Sequence, residues 1–324
     1  MISEKNKLDD LKHFNINDTL IIKTSPLTII FSLNNKLLIY EIDIEKNTSK
    51  IIKEISFVDE IIYFNKLNIK KENSDYILAC KNNKNIYIIS EINYEIKFTF
   101  THSKKLTSIF IFNEEENDFI FFSDKCGEIW IKKFNKNTNE EQFLKESKLI
   151  CGHCDPIIYM QISNNNKLML SSDTFGKIKI YEFPNLFNIL SVCIYLEDDI
   201  KYINFFGELD SGFFVLNKNN NIDIWSSYDF ILQSKENINL EKDDNIKYIK
   251  LLDNNKLILL SNKKICYYQI NSIKYCLENK KEINIDFDIE NTKNRLFYFN
   301  DKIYLILLNI NNNEIKLIKN ILIE

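Results

Sequence analysis

Residues 152–181 read GHCDPIIYMQISNNNKLMLSSDTFGKIKIY, and no other segment says as much about the architecture of the chain. Lys177-Ile178-Lys179-Ile180-Tyr181 alternates polar and apolar side chains, the period of a half-covered strand. Ahead of it, Leu168 to Ser172 forms a second run, joined to the first through Asp173-Thr174-Phe175-Gly176. Ile157 to Ser163 is a third, separated from the second by Asn164-Asn165-Asn166. Asn tolerates left-handed backbone, so such tips suit hairpins in a chain with only 5 Gly. Three antiparallel strands in succession are predicted here, opened by Gly152-His153.

The preceding residues repeat the layout. His102 precedes the run Ser108 to Phe112, then come Phe121-Phe122-Ser123-Asp124, a turn through Gly127, and the strand Ile129 to Lys132. The His-to-Asp separation is 22 residues there and 20 between His153 and Asp173. One short pattern recurs along the whole chain: apolar, any residue, apolar, then aromatic or apolar. It starts at 37, 86, 129, 178, 222, 265 and 315, at intervals of 49, 43, 49, 44, 43 and 50 residues. A period in the forties made wholly of strand-like segments predicts blades of about four strands. The expected fold is all-β, a seven-bladed β-propeller.

Continuously apolar runs such as Phe213-Phe214-Val215-Leu216 fit strands covered on both faces. Further Asn tips stand at Asn82-Asn83, Asn219-Asn220-Asn221, Asn254-Asn255 and Asn311-Asn312-Asn313. No linker splits the chain, so 1–324 is read as one domain. Residues 1–18 are its N-terminal extension, with a short helix over 4–12. The last repeat is the least regular, because Ile303 to Leu308 competes with Ile315 to Ile318 for its anchor. Closure by an N-terminal strand from 19–23 or wholly by C-terminal strands stays open.

Hydrophobic residues make up 45% of the chain, including 24 Phe and 16 Tyr, enough for a packed core. A net charge of −4 gives no general drive toward nucleic acid or anionic lipid. Arg295 is the only arginine, and with the excess of Asn and Ile this points to an AT-rich coding genome. The lysine pairs at 70/71, 104/105, 132/133, 263/264 and 280/281 are accordingly read as solubilising surface rather than as an RNA path. Ile303 to Leu308 is about a third of the ~20 residues a spanning helix needs. Met1 to Phe14 carries no apolar signal region. The seven Cys, odd in number and irregularly spaced, read as reduced thiols of a nuclear or cytosolic protein.

Several motifs tempt and fail. Cys151-Gly152-His153-Cys154 spells a disulfide-isomerase sequence, but that chemistry needs the first Cys at a helix N-terminus, and a strand follows here. No second Cys or His pair stands at zinc spacing, so no metal is expected. Gly207 to Gly212 has phosphate-loop spacing, but Phe213-Phe214 stand where Lys and Ser/Thr must be. GxGxxG and GxSxG are absent, so no cofactor site is expected, and Ser-His-Asp catalysis lacks a free base. Glu114-Glu115-Glu116 and Asp243-Asp244 read as solvated loops, and Trp130 and Trp225 as core. No catalytic residue is assigned.

The third and fourth repeats resemble the WD-repeat family. There a His at the start of a blade, an Asp in an inner hairpin turn and a hydroxyl or aromatic form a buried hydrogen-bonded network. The resemblance makes His102, Asp124, His153 and Asp173 members of such networks. Within that class, Ser123-Asp124-Lys125-Cys126-Gly127-Glu128-Ile129 is similar to an Asp-Lys-x-Gly-Asp-Val turn of one particular family. Ser172-Asp173-Thr174-Phe175-Gly176-Lys177-Ile178-Lys179-Ile180, trailed by Phe183-Pro184, is similar to its Asp-Arg-Asp-Glu-x-Ile-Arg/Lys-Val strand. That family is the non-catalytic subunit of the eukaryotic tRNA (guanine-N7)-methyltransferase, and the likeness covers about a third of the chain, Phe121 to Trp225.

The resemblance implies a propeller that stabilises a separate Rossmann-fold catalytic subunit in a heterodimer. That subunit holds the cofactor and acts on the tRNA, which the propeller meets indirectly or by weak contact, with no membrane involved. It also implies the nucleus, with the cytoplasm as second location. A basic residue meeting an acidic one of the partner falls on Lys179, with Lys177 and Lys125 beside it as partner-binding residues. Thr174-Phe175-Gly176 replaces the family's charged Arg-Asp-Glu, which alters the neighbouring polar contacts. A general protein-interaction scaffold in another assembly is the alternative.

Overall fold

The computed structural model describes residues 19–321 except 25–26, 34, 44–47, 68–75, 81–82, 114–116, 136–146, 185, 187–188, 195–198, 239, 242–243, 253, 285–291, 300–301 and 310–314. The helix expected over 4–12 and the extension 1–18 lie outside the described residues. Every regular element described is a strand.

The first sheet holds β1 (Thr19–Thr24), β2 (Leu27–Leu33), β3 (Lys36–Asp43) and β4 (Thr48–Ser56), and the second β5 (Ile61–Lys66), β6 (Tyr76–Cys80), β7 (Asn85–Ile89) and β8 (Ile96–Thr101). The third is β9 (Leu106–Asn113), β10 (Asn117–Asp124), β11 (Glu128–Asn135) and β12 (Lys148–Gly152). The fourth is β13 (Ile157–Ile162), β14 (Leu168–Asp173), β15 (Lys177–Glu182) and β16 (Ile189–Ile194). In the fifth stand β17 (Ile200–Phe206), β18 (Gly212–Asn217), β19 (Asn221–Ser226) and β20 (Leu232–Asn237). The sixth comprises β21 (Ile246–Leu252), β22 (Lys256–Ser261), β23 (Lys264–Asn271) and β24 (Cys276–Asn284). The last has three described strands, β25 (Thr292–Phe299), β26 (Lys302–Asn309) and β27 (Ile315–Ile321). Each strand pairs with its sequence neighbour, so every sheet is a meander.

The recurring four-residue pattern marks the third strand of every sheet, from Leu37–Tyr40 in β3 to Ile315–Ile318 in β27. The competition in the last repeat disappears, because Ile303 to Leu308 is the strand before it, β26. β1 pairs inside the first sheet, and all three strands of the last sheet come from the C-terminal residues.

Two compact units are distinguished. Of the described residues, one comprises those within 53–200 with 19–20 and 30–38; the other comprises those within 201–321 with 21–29 and 39–52. In the first unit, strand alternation sends the side chains of the third sheet in two directions. Ile109, Ile120 and Phe122 join a core with Ile77, Ile88 and Phe100 of the second sheet. Phe121 and Ile129 point the other way, into a core with Ile157, Met169, Tyr181 and Phe183. Both faces are apolar because both are covered, which is why these strands read as near-continuous hydrophobic runs. Lys132 is drawn into the first of these cores, its Nζ 4.1 Å from the centre of the Phe100 ring. The solvated reading of that lysine is therefore corrected: strand alternation points it at a neighbouring sheet, where the ring face receives its charge.

In the second unit every residue of β18 is buried, whereas the edge strand β20 alternates half-buried and exposed positions. Trp225 stacks on Phe213 with ring centres 5.9 Å apart.

Asn166, Asn220 and Asn254 take left-handed φ of 57°, 62° and 57° at tips where Asn was expected to do this. Composition did not suggest the aromatics that do the same, Tyr94, Phe230 and Tyr275, each in the turn between the third and fourth strands of its sheet. In two of these turns a serine hydroxyl accepts a backbone N–H two residues on, Ser90 from Ile92 and Ser226 from Tyr228. Tyr275 donates its hydroxyl to the Ser211 carbonyl at 3.1 Å, so its turn is tied down by a distant anchor.

Gly127 sits at φ +78°, and a Cβ there would stand 2.4 Å from the Asp155 carbonyl oxygen and 2.6 Å from that of His153. Gly127→Ala therefore meets backbone strain and a backbone clash together. A loss of at least about 2 kcal/mol is expected, read as a lower urea midpoint at unchanged slope. An unaltered midpoint would show that the 153–155 connector yields freely.

Candidate functional site

The candidate site lies at the end of the third and fourth sheets where their second strands turn into their third. Asp124 ends β10 and Asp173 ends β14, and the two turns are built alike. Asp124 Oδ1 accepts the backbone N–H of Cys126 at 2.8 Å and of Glu128 at 3.4 Å. Asp173 Oδ1 accepts those of Phe175 and Lys177, both at 3.0 Å. In each, the Asp carbonyl takes the N–H of the left-handed glycine, Gly127 at 2.9 Å and Gly176 at 3.1 Å. A short acidic side chain is needed at this point because it reaches its own following backbone.

The second carboxylate oxygen reaches a histidine from the preceding connector. His153 Nδ1 lies 2.9 Å from Asp173 Oδ2, and its Nε2 lies 2.7 Å from Ser171 Oγ. A carboxylate only accepts, so Nδ1 carries the proton and Nε2 accepts the Ser171 hydroxyl. In the third sheet, His102 Nε2 stands 3.1 Å from Asp124 Oδ2, which also accepts the Trp130 indole N–H at 3.3 Å. The order Ser171–His153–Asp173 is that of a hydrolase triad, assembled although the sequence offered no free base. Ser171 is 0% exposed, however, so its hydroxyl meets no substrate. The arrangement satisfies buried polar groups.

Electrostatics follow from burial. Burial lowers the His153 pKa by penalising the imidazolium, and the charges of Lys179 and Lys177 push the same way, together outweighing Asp173. Burial would raise the Asp173 pKa, but hydrogen bonds from His153 and the Lys177 and Phe175 backbone hold it below the usual carboxylate value. Asp124 is held low in the same way by His102, the Cys126 backbone and the charge of Lys104. Burial pushes the Cys151 thiol up to about 11. A thiol in β12 with a raised pKa is the reverse of what isomerase chemistry requires.

The lysines lie around this frame. Lys179 is half-buried on β15, and its ammonium donates to the Gly152 carbonyl at 2.6 Å, leaving two N–H bonds to offer. Lys177 opens β15, and Lys125 is exposed in the turn after Asp124, its backbone N–H bonded to the Lys105 carbonyl at 2.9 Å. Phe175 stands between Asp173 and Lys177 with 59% of its surface exposed. No group of three or more His, Cys, Asp and Glu able to hold a metal ion occurs among the described residues.

The sequence reading missed two variants of this frame. In the fifth sheet Asn217 replaces the Asp, its Oδ1 accepting the Asn221 N–H at 2.9 Å, and Asn220 replaces the glycine. The signal was the Asn-x-x-Asn spacing after a buried strand. In the sixth, the carboxylate moves to the connector. Asp244 Oδ2 accepts the Ser261 hydroxyl at 2.6 Å and Oδ1 the Asn262 N–H at 2.8 Å. Asp244 is 3% exposed, which corrects its reading as a solvated loop carboxylate: hydrogen bonds from the neighbouring turn offset its desolvation. Asp243 and Glu114–Glu116 lie outside the described residues.

The low His153 pKa sets an acid limit. The unfolded chain takes up a proton near the ordinary His value of 6.5 while the folded chain resists it, so stability is full above that pH and falls below it. Asp173, also held low, adds a further loss at lower pH. His153→Ala strands both Asp173 and Ser171, with an expected loss of about 2–4 kcal/mol near neutral pH. His153→Gln should flatten the change of urea midpoint on going from pH 7.5 to 5.5. A slope equal to that of the unaltered chain would assign the acid sensitivity elsewhere.

Comparison with known proteins adds three findings. No family model matches the chain. A curated relative, the tRNA (guanine-N(7)-)-methyltransferase non-catalytic subunit wdr4 of Dictyostelium discoideum, is 25% identical over 186 residues, 51% of this chain and 37% of the relative. The likeness thus spans little more than a third of that protein's length. Among solved structures, Kluyveromyces lactis Hsv2 with loop 6CD replaced by a Gly-Ser linker has a TM-score of 0.55 at 12% identity, covering 95% of each chain. Unaltered Hsv2 gives 0.46 at 10% identity over 84% of this chain and 97% of its own. A meander of four strands repeated along the chain and the fold shared with a solved propeller make this chain a β-propeller, and its likeness to the WD-repeat relative extends over about half the sequence.

Proposed function

We propose that the chain is a non-catalytic WD-repeat subunit that binds and stabilises the catalytic chain of a tRNA (guanine-N7)-methyltransferase. The observation that carries the reading is the 186-residue likeness to a subunit of that name. The site supports it: Lys125 and the exposed Phe175 stand on turns whose backbone is held by buried Asp carboxylates, and Lys177 and Lys179 follow Phe175 on β15. An exposed aromatic side chain is the kind of anchor around which protein-binding hot spots form. Lys179, steered by the Gly152 carbonyl, would meet an acidic side chain of the partner and fix the register of docking. On this reading the chemistry and its cofactor belong to the catalytic chain, in the nucleus or cytoplasm, and the present chain is no enzyme.

Co-expression with the organism's tRNA guanine-N7 methyltransferase chain tests this. The two should co-purify and methylate tRNA faster than the catalytic chain alone. Neither effect occurring would leave a WD-repeat scaffold of some other assembly. Lys179→Glu and Phe175→Glu should each weaken the complex at least tenfold, about 1.4 kcal/mol, without moving the urea midpoint by a comparable amount. Lys177→Glu, which breaks no side-chain bond in the described structure, guards against a folding artefact. Undiminished co-purification of all three variants would remove the partner from this surface.

A further inference from the structure

The basic end of the unit continues past the residues assigned to the partner. Lys84 lies in the turn between β6 and β7, and Lys105 in the connector between β8 and β9. Backbone hydrogen bonds lash these segments together: His102 N–H to the Lys84 carbonyl at 2.7 Å, Leu106 N–H to Asn83 at 3.2 Å, and Lys125 N–H to Lys105 at 2.9 Å. Lys84, Lys105 and Lys125 therefore stand on three successive, mutually bonded segments. All three are exposed, and none has an ion-pair partner among the described residues.

The acidic groups at this end do not neutralise them. Asp124 is buried within its frame, and Glu128 is held by Lys104 at 2.6 Å. Asp59 and Glu60 precede β5, Asp155 lies in the connector against Gly127 with no ion pair to Lys125, and Asp199 precedes β17. The opposite end of the second sheet instead presents Glu91 and Glu95, in the turn between β7 and β8. The positive charge is thus local, although the whole chain carries −4.

The chemistry around these lysines differs from that around Phe175. Their exposed neighbours are Thr101, Ser103 and Cys126, and no large exposed apolar side chain lies on the three segments. Protein interfaces want an apolar centre, which Phe175 offers on the fourth sheet and these segments lack. A run of spaced, unpaired ammonium groups without one suits a polymer with evenly spaced phosphates.

We infer that Lys84 and Lys105, adjoining the partner site at Lys125, form a phosphate-binding surface that takes the backbone of an RNA. The choice of RNA among polyanions rests on the tRNA-modification reading above; the surface itself rests on the placement of the lysines.

The test is fluorescence anisotropy of a labelled, unmodified tRNA transcript with the full chain, without a catalytic subunit, at two salt concentrations. Lys84→Glu and Lys105→Glu should each weaken binding at least threefold and reduce the salt slope by about one. Lys167→Glu makes the same change of net charge at an exposed position in the turn between β13 and β14, at the other end of the fourth sheet, and should leave affinity unchanged. Equal losses in all three variants, or no binding at all, would overturn the surface. Displacement of the tRNA by polyglutamate at matched charge would assign it to an acidic protein segment. Equal affinity for a DNA duplex would overturn the assignment to RNA. Lysine-dependent tRNA binding without co-purification of the methyltransferase chain would sink the partner reading alone.

Discussion

The described structure of the first unit turns on one economy: a single buried carboxylate closes a hairpin with one oxygen and holds the neighbouring connector with the other. Asp173 does this by accepting two backbone N–H groups on Oδ1 and the His153 imidazole on Oδ2. Asp124 does the same with His102 and Trp130. A lone buried carboxylate would be costly, and so would a lone buried imidazole. Joined, each satisfies the other. Meanders are locally specified by their hairpins, but the crossing from one sheet to the next has no ladder of its own. The Asp–His bond, together with the backbone bonds from connector to turn, holds that crossing.

What projects from such a turn is consequently well placed. Lys125 follows Asp124 directly, Phe175 follows Asp173 by two residues, and Lys177 donates its own backbone N–H to that carboxylate. Side chains on a turn fixed from within lose less freedom on binding than those on a loose loop. The buried network and the exposed surface are thus two sides of the same residues.

Much of the fold was legible in the sequence because covered sheets force apolar character onto both faces of their inner strands. The recurring pattern landed on the third strand of every sheet, and Asn took left-handed backbone where Gly was scarce. The Asp–His spacing of the third and fourth sheets was readable because both partners are polar types that stand out within apolar runs. Lys132 and Asp244 were misread for the converse reason. Residue type says solvent, whereas strand parity and a donor on a neighbouring turn decide otherwise, and neither is visible without three dimensions. The aromatics at positive φ were hidden because their anchors, such as Ser211 for Tyr275, lie far along the chain.

The variants of the frame explain how the fold persists where sequence likeness fades. The fifth sheet closes its turn with Asn217 and Asn220, keeping the acceptor and the left-handed residue while discarding both the charge and the glycine. The sixth moves the carboxylate across the gap to Asp244 and meets it with the Ser261 hydroxyl, inverting which segment carries the acid. In each case the physical requirement is the same: an acceptor at the head of the turn or a donor facing one across it. Three chemistries satisfy that requirement within this one chain, so the fold does not fix residue identity at these turns. The full His–Asp–Gly form survives in the third and fourth sheets, the two that also carry Lys125, Phe175, Lys177 and Lys179. A stability requirement alone would allow any of the three forms there. In both of these sheets the turn that carries the exposed side chains is held from within by the carboxylate and from outside by the connector's histidine.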